Sequence, residues 1–169
     1  MQLINIDKKR YRKHLNIIIV GFIGSLLILS LAFGQLLIAS FSQEGVSNFR
    51  YNFLGVILAL LACAAVLHSL KHSNFFKEVY YVWKIKQLQN LIYRKFKKIK
   101  AAADNDEHNA LIISVFYYQS LQQVYQLDDN TLTIASVDKK LNDLQDSIES
   151  KNLAVSATDF NKKLLNFYR

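Results

Sequence analysis

Residues 15–41, LNIIIVGFIGSLLILSLAFGQLLIASF, set the terms for everything around them. From Ile17 to Phe41 there is no Asp, Glu, Lys, Arg or His. As a helix rising about 1.5 Å per residue, a run of this length exceeds a hydrocarbon core of roughly 30 Å. Between Ile17 and Ile38 lie fifteen Leu, Ile, Val or Phe residues. At roughly −0.5 kcal/mol each on the insertion scale they outweigh the single Gln35 several-fold. The sequence therefore predicts a first membrane span over 15–41. A secretory signal has a shorter apolar core, about 7 to 15 residues, so Ala32-Phe33-Gly34 is not read as a cleavage site.

The flanks define the rest of the topology. Residues 1–14 form a basic N-terminus in which Lys8, Lys9, Arg10, Arg12 and Lys13 face one acid, Asp7. Residues 42–52 are a short polar connection, with Phe49 and Tyr51 placed for the membrane interface, and 53–70 are a second, shorter span. The longer first helix is expected to tilt or protrude. Of the basic residues near the spans, only Arg50 lies in the connection, whereas Lys71, Lys77, Lys84 and Lys86 follow the second span closely. Short loops rich in Lys and Arg stay in the cytoplasm, so both termini are expected there.

Composition agrees with this division. The net charge of +8 is distributed as +4 over 1–14, zero over 15–70, +8 over 71–100 and −4 over 101–169. Cys63, the lone cysteine, excludes an intrachain disulfide and reads as a small buried residue. There is no proline, and all five glycines precede residue 56, so the remaining chain favours helices ended by Asn, Asp and Ser.

The region 71–169 reads as a cytoplasmic helical module. From Phe75 to Ala103 the pattern is helical, but Phe76, Val79, Tyr80 and Trp83 centre almost opposite Ile85, Leu88, Leu91, Ile92, Phe96 and Ile99. Phe75 to Trp83, with Tyr81, is expected to be a membrane-interface turn or partner contact, with a kink near 84–87 as the alternative. Asp104 to Glu107 is a connection and acidic first turn for a helix to about Leu127, bearing Ile113, Tyr117, Leu121 and Val124 on one face. After Asp128-Asp129-Asn130, Ser136 is the expected N-cap of a helix carrying Val137, Leu141, Leu144 and Ile148. Ser156 with Asp159 resembles a capping box before a last short helix bearing Phe160, Leu164 and Phe167. The expected fold is all-α: a two-span transmembrane hairpin followed by a small helical bundle.

Candidate sites follow from residue chemistry. Small residues recur on one face of each span: Gly21, Ser25, Ala32 and Ala39 with Ile28 and Gln35 in the first, and Gly55, Ala59, Ala62, Val66 and Ser69 in the second. Such stripes let helices approach closely in lipid, within the hairpin or between two copies of the chain. His68 and His72 have the i, i+4 spacing of metal ligands, with His14 at matching depth, but no carboxylate or thiol in the sequence pattern completes the set, so no metal or cofactor is expected. Phe76, Tyr80 and Trp83 are the expected partner contact. Arg94, Lys95, Lys97, Lys98 and Lys100, interleaved with Tyr93 and Phe96, form a basic patch suited to a solvated face, then to anionic lipid, then to nucleic acid. There is no phosphate-binding loop, nucleotide fingerprint, nucleophile elbow or zinc-protease pair, so an enzyme is not expected.

Asp7-Lys8-Lys9-Arg10-Tyr11-Arg12, the two spans, and Phe76-Lys77-Glu78-Val79-Tyr80-Tyr81-Val82-Trp83-Lys84 with Tyr117-Tyr118-Gln119-Ser120-Leu121 resemble a family of small proteobacterial inner-membrane proteins of unknown function, most clearly through Leu132. The resemblance implies compartment and topology and no functional residues. The sequence thus predicts a non-enzymatic inner-membrane protein presenting its module for protein interaction or assembly. Its expected partners are membrane lipids and a membrane or cytoplasmic protein. The alternatives are a subunit of an oligomeric channel or transporter, and a tethered binder of anionic lipid or nucleic acid.

Overall fold

The computed structural model describes residues 2–45 and 47–168. The fold is all-helical: α1 (Lys8–Phe41), α2 (Phe49–Leu70), α3 (Lys77–Tyr93), α4 (Phe96–Ala103), α5 (His108–Leu127) and α6 (Thr131–Ser150), then two short 3-10 turns, Ala157–Asp159 and Lys162–Phe167. The chain divides into two compact units, Arg12–Tyr80 and Met1–Tyr11 with Tyr81–Arg169, and α1 and α3 contribute residues to both. Residues up to Tyr11 group with the C-terminal helices.

In the unit Arg12–Tyr80, α1 and α2 have 34 and 22 residues, about 51 and 33 Å of helix, both long and apolar enough to cross a membrane. Their outward residues are uncovered by protein: Val20, Ile28 and Leu31 are each 70% exposed. Helix α1 starts in the basic leader because the Asp7 carboxylate accepts the Arg10 N–H at 3.0 Å, satisfying an end-of-helix donor. Helix α2 starts at Phe49, earlier than the expected 53, because the Asn48 carbonyl accepts from the Tyr51 and Asn52 N–H groups. In the turn Gly45 has φ 78°, a left-handed conformation that costs glycine nothing, and the Tyr51 hydroxyl donates to the Phe41 carbonyl at 2.6 Å. Val46, part of the expected connection, lies outside the described residues.

The helices meet through a different face of α1 from the one expected. A Cβ on Gly55 would stand 2.6 Å from the Gly34 nitrogen and 3.0 Å from the Ser30 carbonyl, so the backbones touch at Gly34 and Gly55. Of the expected α2 stripe, Gly55 and Ala59 are buried and Ala62 half-buried, whereas Val66 and Ser69 are exposed; Cys63 is buried as well. On α1, Gly21, Ser25, Ile28, Ala32, Gln35 and Ala39 are exposed, and Phe22, Leu26, Ser30, Phe33 and Gly34 turn inward. The seven-residue register found the smallest side chains, but closest approach needs a bare backbone on both helices at one height, which only Gly34 with Gly55 supplies.

In the other unit, α5 is the central element. Ala110 through Tyr117 are all buried, more than the single face expected, because α4, α6 and the 3-10 turns cover it from several sides. Val82, Ile85, Leu88, Gln89 and Ile92 are the buried face of α3. That stripe runs straight through 84–87, so the chain does not kink there; it breaks at Arg94–Lys95, after which α4 turns Ile99 and Ala103 inward. Gln89 is held in the interior by a hydrogen bond from its Nε2 to Ser120 Oγ at 3.1 Å, and Ser120 Oγ in turn donates to the Tyr117 carbonyl.

Two further expectations are corrected. Helix α6 begins at Thr131, so Ser136 is a helical residue and not a cap; Asp129 with φ 56° completes the reversal before it. The last helix is replaced by the two 3-10 turns, with Ser156 Oγ accepting from Thr158 N–H and Asn161 Oδ1 from Lys163 N–H. Phe160 and Leu165 are buried and Leu164 half-buried, whereas Phe167 is 70% exposed.

The N-terminal arm is clamped to this unit. Ile4 N–H donates to the Tyr81 hydroxyl at 2.7 Å, and Gln123 Nε2 donates to the Ile4 carbonyl at 2.5 Å. Asp128 accepts from the buried Tyr11 hydroxyl at 3.0 Å and from Lys86 Nζ at 2.7 Å, and Lys8 pairs with Asp129. The basic leader thus supplies specific partners for the acids at the α5–α6 turn.

Buried phenols make the core sensitive to alkali. Burial, and behind it the neighbouring phenols of Tyr125, Tyr118 and Tyr93, push the Tyr117 hydroxyl from 10.0 up to about 12. Tyr168 is also pushed up, by burial and then by its hydrogen bond to Glu107 and that carboxylate's charge. Both stay protonated in the fold where the unfolded chain would ionise, so this stability is present below pH 10.0 and lost as pH rises toward about 12. Alkaline titration should show helix content falling in that window as these phenols ionise. Ionisation of all nine tyrosines near 10 with helix content intact would contradict it.

Candidate functional site

The site is built on the exposed face of α3. Trp83, Gln87, Leu91 and Arg94 recur at helical spacing along that face, and Lys84 sits beside them. The opposite face is fixed in the core by Val82, Ile85, Gln89 and Ile92, which determines the direction in which the exposed residues point. A second wall comes from the C-terminal 3-10 turn. Phe160 stacks on Phe116 with ring centroids 4.0 Å apart, Lys95 Nζ donates to the Leu165 carbonyl at 2.8 Å, and the Tyr168 hydroxyl donates to Glu107 at 2.5 Å. These contacts anchor the segment that brings Lys162 to α3.

The result is a groove of about 510 Å³ lined by Trp83, Lys84, Arg94 and Lys162, with Leu88 and Leu91 as its apolar part. Gln87 and Asn90 add amide donors and acceptors. Among the described residues three cations line it and no carboxylate does, so it attracts an anion. Trp83 is 53% exposed, which leaves much of the indole available to a ligand. Cations, amides and an indole can bind and orient an anionic amphiphile; nothing in the lining is a nucleophile or general base at neutral pH.

The expected basic patch is dispersed. Arg94 lines this groove, Lys95 is used to hold the C-terminal segment, and Lys97 and Lys98 lie on the exposed side of α4. Lys100 stands 3.8 Å from Asp104 and lines a separate, mixed-charge groove. The break at Arg94–Lys95 separates side chains that are adjacent in sequence. Conversely Lys162, 68 positions after Arg94, carries no sequence signal for the site; the packing of Phe160 and the hydrogen bonds at Leu165 and Tyr168 place it there.

The expected aromatic contact is also divided. Phe76 and Tyr80 belong to the unit Arg12–Tyr80 and Trp83 to the other. Phe76 and Phe75 line an apolar groove of about 330 Å³ with Gly21, Ser25, Cys63 and Val66, and Tyr80 meets the His72 ring edge-on at 5.6 Å. Gly21 and Ser25 therefore border an open groove where the helices do not pack together.

The three histidines do not converge. His14 Nδ1 is 3.5 Å from Glu78 Oε2, with the Phe75 ring centroid at 4.2 Å, so a carboxylate does stand beside His14, contrary to the sequence-based expectation. His68 is paired with Lys71 Nζ at 3.0 Å, and His72 with Tyr80. Among the described residues no three His, Cys, Asp or Glu side chains gather around one point. Gln35 is exposed on α1.

No curated protein and no solved structure matches the chain. Residues 1–165 match the model of one family, a span that includes Lys162 of the groove. By that match the chain belongs to the family described as protein of unknown function DUF3087.

Proposed function

We infer that this is a non-enzymatic, two-span protein of the bacterial inner membrane that holds its helical unit at the cytoplasmic face as a module for interaction or assembly. The uncovered Leu, Ile and Val of α1 and α2, exposed along both helices, need an apolar surrounding that water does not provide. The basic residues on either side of the helix pair favour cytoplasmic termini. The single observation that carries the functional part is the exposed Trp83 beside three cations in one groove. An indole with an apolar body and a polar edge, still half exposed, is suited to a contact surface.

A photo-crosslinking residue at position 87 in living cells, combined with reporter fusions at the C-terminus, tests this. Cytoplasmic reporter activity and a groove adduct that falls several-fold in Trp83→Ala, with helix content unchanged, are expected. An external C-terminus, release of the protein from membranes by high salt, or no adduct at position 87 would defeat it.

A further inference from the structure

We propose that the Trp83 groove binds the phosphodiester headgroup of an anionic phospholipid drawn from the membrane that holds the two spans. This rests on the membrane-anchored function above and specifies what its recognition surface reads. Lys84, Arg94 and Lys162 line the groove and no carboxylate does among the described residues, so a bound phosphate meets favourable charge there. The Arg94 guanidinium offers a planar pair of donors matched to two phosphate oxygens, and each cation close to an anionic lipid surface is worth about 1 kcal/mol.

The apolar part decides between a lipid and a simple anion. Leu91, half-buried, and the exposed indole would stay partly wet beside a free phosphate, whereas a glycerol backbone and its first methylenes cover them. The face from Trp83 to Arg94 is about 16 Å long, the scale of one headgroup and much less than an extended protein interface needs. Chain length supplies proximity. The backbone from Leu70 to Lys77 spans at most about 25 Å and the Trp83 Cα follows about 9 Å further along α3, so the chain tethers the groove to the end of α2. Lipids of the adjacent leaflet are therefore present at high effective concentration.

Trp83 is the protein's single tryptophan, so its fluorescence reports this groove alone. Full-length protein is placed in phosphatidylcholine nanodiscs carrying either brominated phosphatidylglycerol or brominated phosphatidylcholine. Stronger quenching by the anionic lipid is expected. The fraction giving half-quenching should rise about fivefold in Arg94→Gln or Lys162→Gln and stay unchanged in Lys97→Gln, whose side chain is outside the groove. Equal quenching by both lipids, or loss of the difference in Lys97→Gln alone, would overturn the proposal. So would a soluble glycerophosphodiester that competes as well as the lipid, which would indicate a solution ligand, or polyglutamate reproducing the emission change in neutral nanodiscs, which would indicate an acidic protein segment. These failures leave the anchored-module function standing if the position 87 adduct forms, whereas an external C-terminus removes both.

Discussion

Phe160→Ala should destabilise the helical unit by about 3–5 kcal/mol and weaken the Trp83 groove at the same time. Phe160 is buried, and its ring stacks on Phe116 at 4.0 Å with 10° between the planes. Truncation loses the transfer free energy of the ring, leaves a cavity beside a fully buried Phe116, and removes a stacked pair that adds about 0.5–1.5 kcal/mol beyond its area. Together with the Lys95–Leu165 and Tyr168–Glu107 hydrogen bonds, this contact fixes the segment that carries Lys162 against α3. The full-length variant should unfold at markedly lower denaturant and show the same roughly fivefold loss of anionic-lipid quenching as Lys162→Gln. Phe167→Ala, at a ring that is 70% exposed, should change stability by no more than about 0.5 kcal/mol. Equal costs for the two variants would mean that the tail is not packed through Phe160.

Gly55→Ala should open the α1–α2 hairpin, and Gly21→Ala should not. A methyl group on Gly55 would stand 2.6 Å from Gly34 N, 2.8 Å from Gly34 Cα and 3.0 Å from the Ser30 carbonyl. All three atoms are backbone, so no rotamer change relieves the clash and the helices must separate. Overpacking of this kind costs about 1–3 kcal/mol. At Gly34 the nearest atom is the Asn52 side-chain oxygen at 3.0 Å, which can swing aside, so Gly34→Ala should be intermediate. Nothing lies within 4 Å of the Gly21 position, and Gly21→Ala should gain up to about 1 kcal/mol from helix propensity. Cys63, buried on the same α2 face as Gly55 and Ala59, reports opening directly. Its labelling by a thiol-reactive fluorophore should accelerate roughly five- to 150-fold in Gly55→Ala. If Gly21→Ala accelerates labelling as much as Gly55→Ala, the helices cross through the Gly21 face instead.

The helices were legible because each depends on interactions close in sequence. The charge-free run to Phe41, the Asp128-Asp129-Asn130 break and the Val137, Leu141, Leu144, Ile148 stripe all correspond to elements of the fold. Misplaced boundaries came from local signals overridden by packing. Ser136 is a good cap in isolation, but Thr131 to Ala135 already continue the helix begun after Asn130. The opposed apolar faces around Trp83 suggested an interface turn or partner contact over 75–83, or a kink at 84–87, whereas Lys77–Tyr93 is one helix and the chain turns at Arg94–Lys95, where Phe96 reaches the Tyr117 ring at 4.8 Å.

Composition and periodicity were sufficient to specify an all-helical chain with two apolar helices ahead of a helical module, since hydrophobic patterning and charge act over a few neighbouring residues. They could not specify which residues meet. The Gly34–Gly55 contact, the docking of Tyr11 and Lys8 on the α5–α6 turn, and the meeting of Lys162 with Trp83 and Arg94 join positions 21 to 121 residues apart. Whether such residues touch depends on how whole helices rotate and pack against one another, and no local run of sequence carries that information.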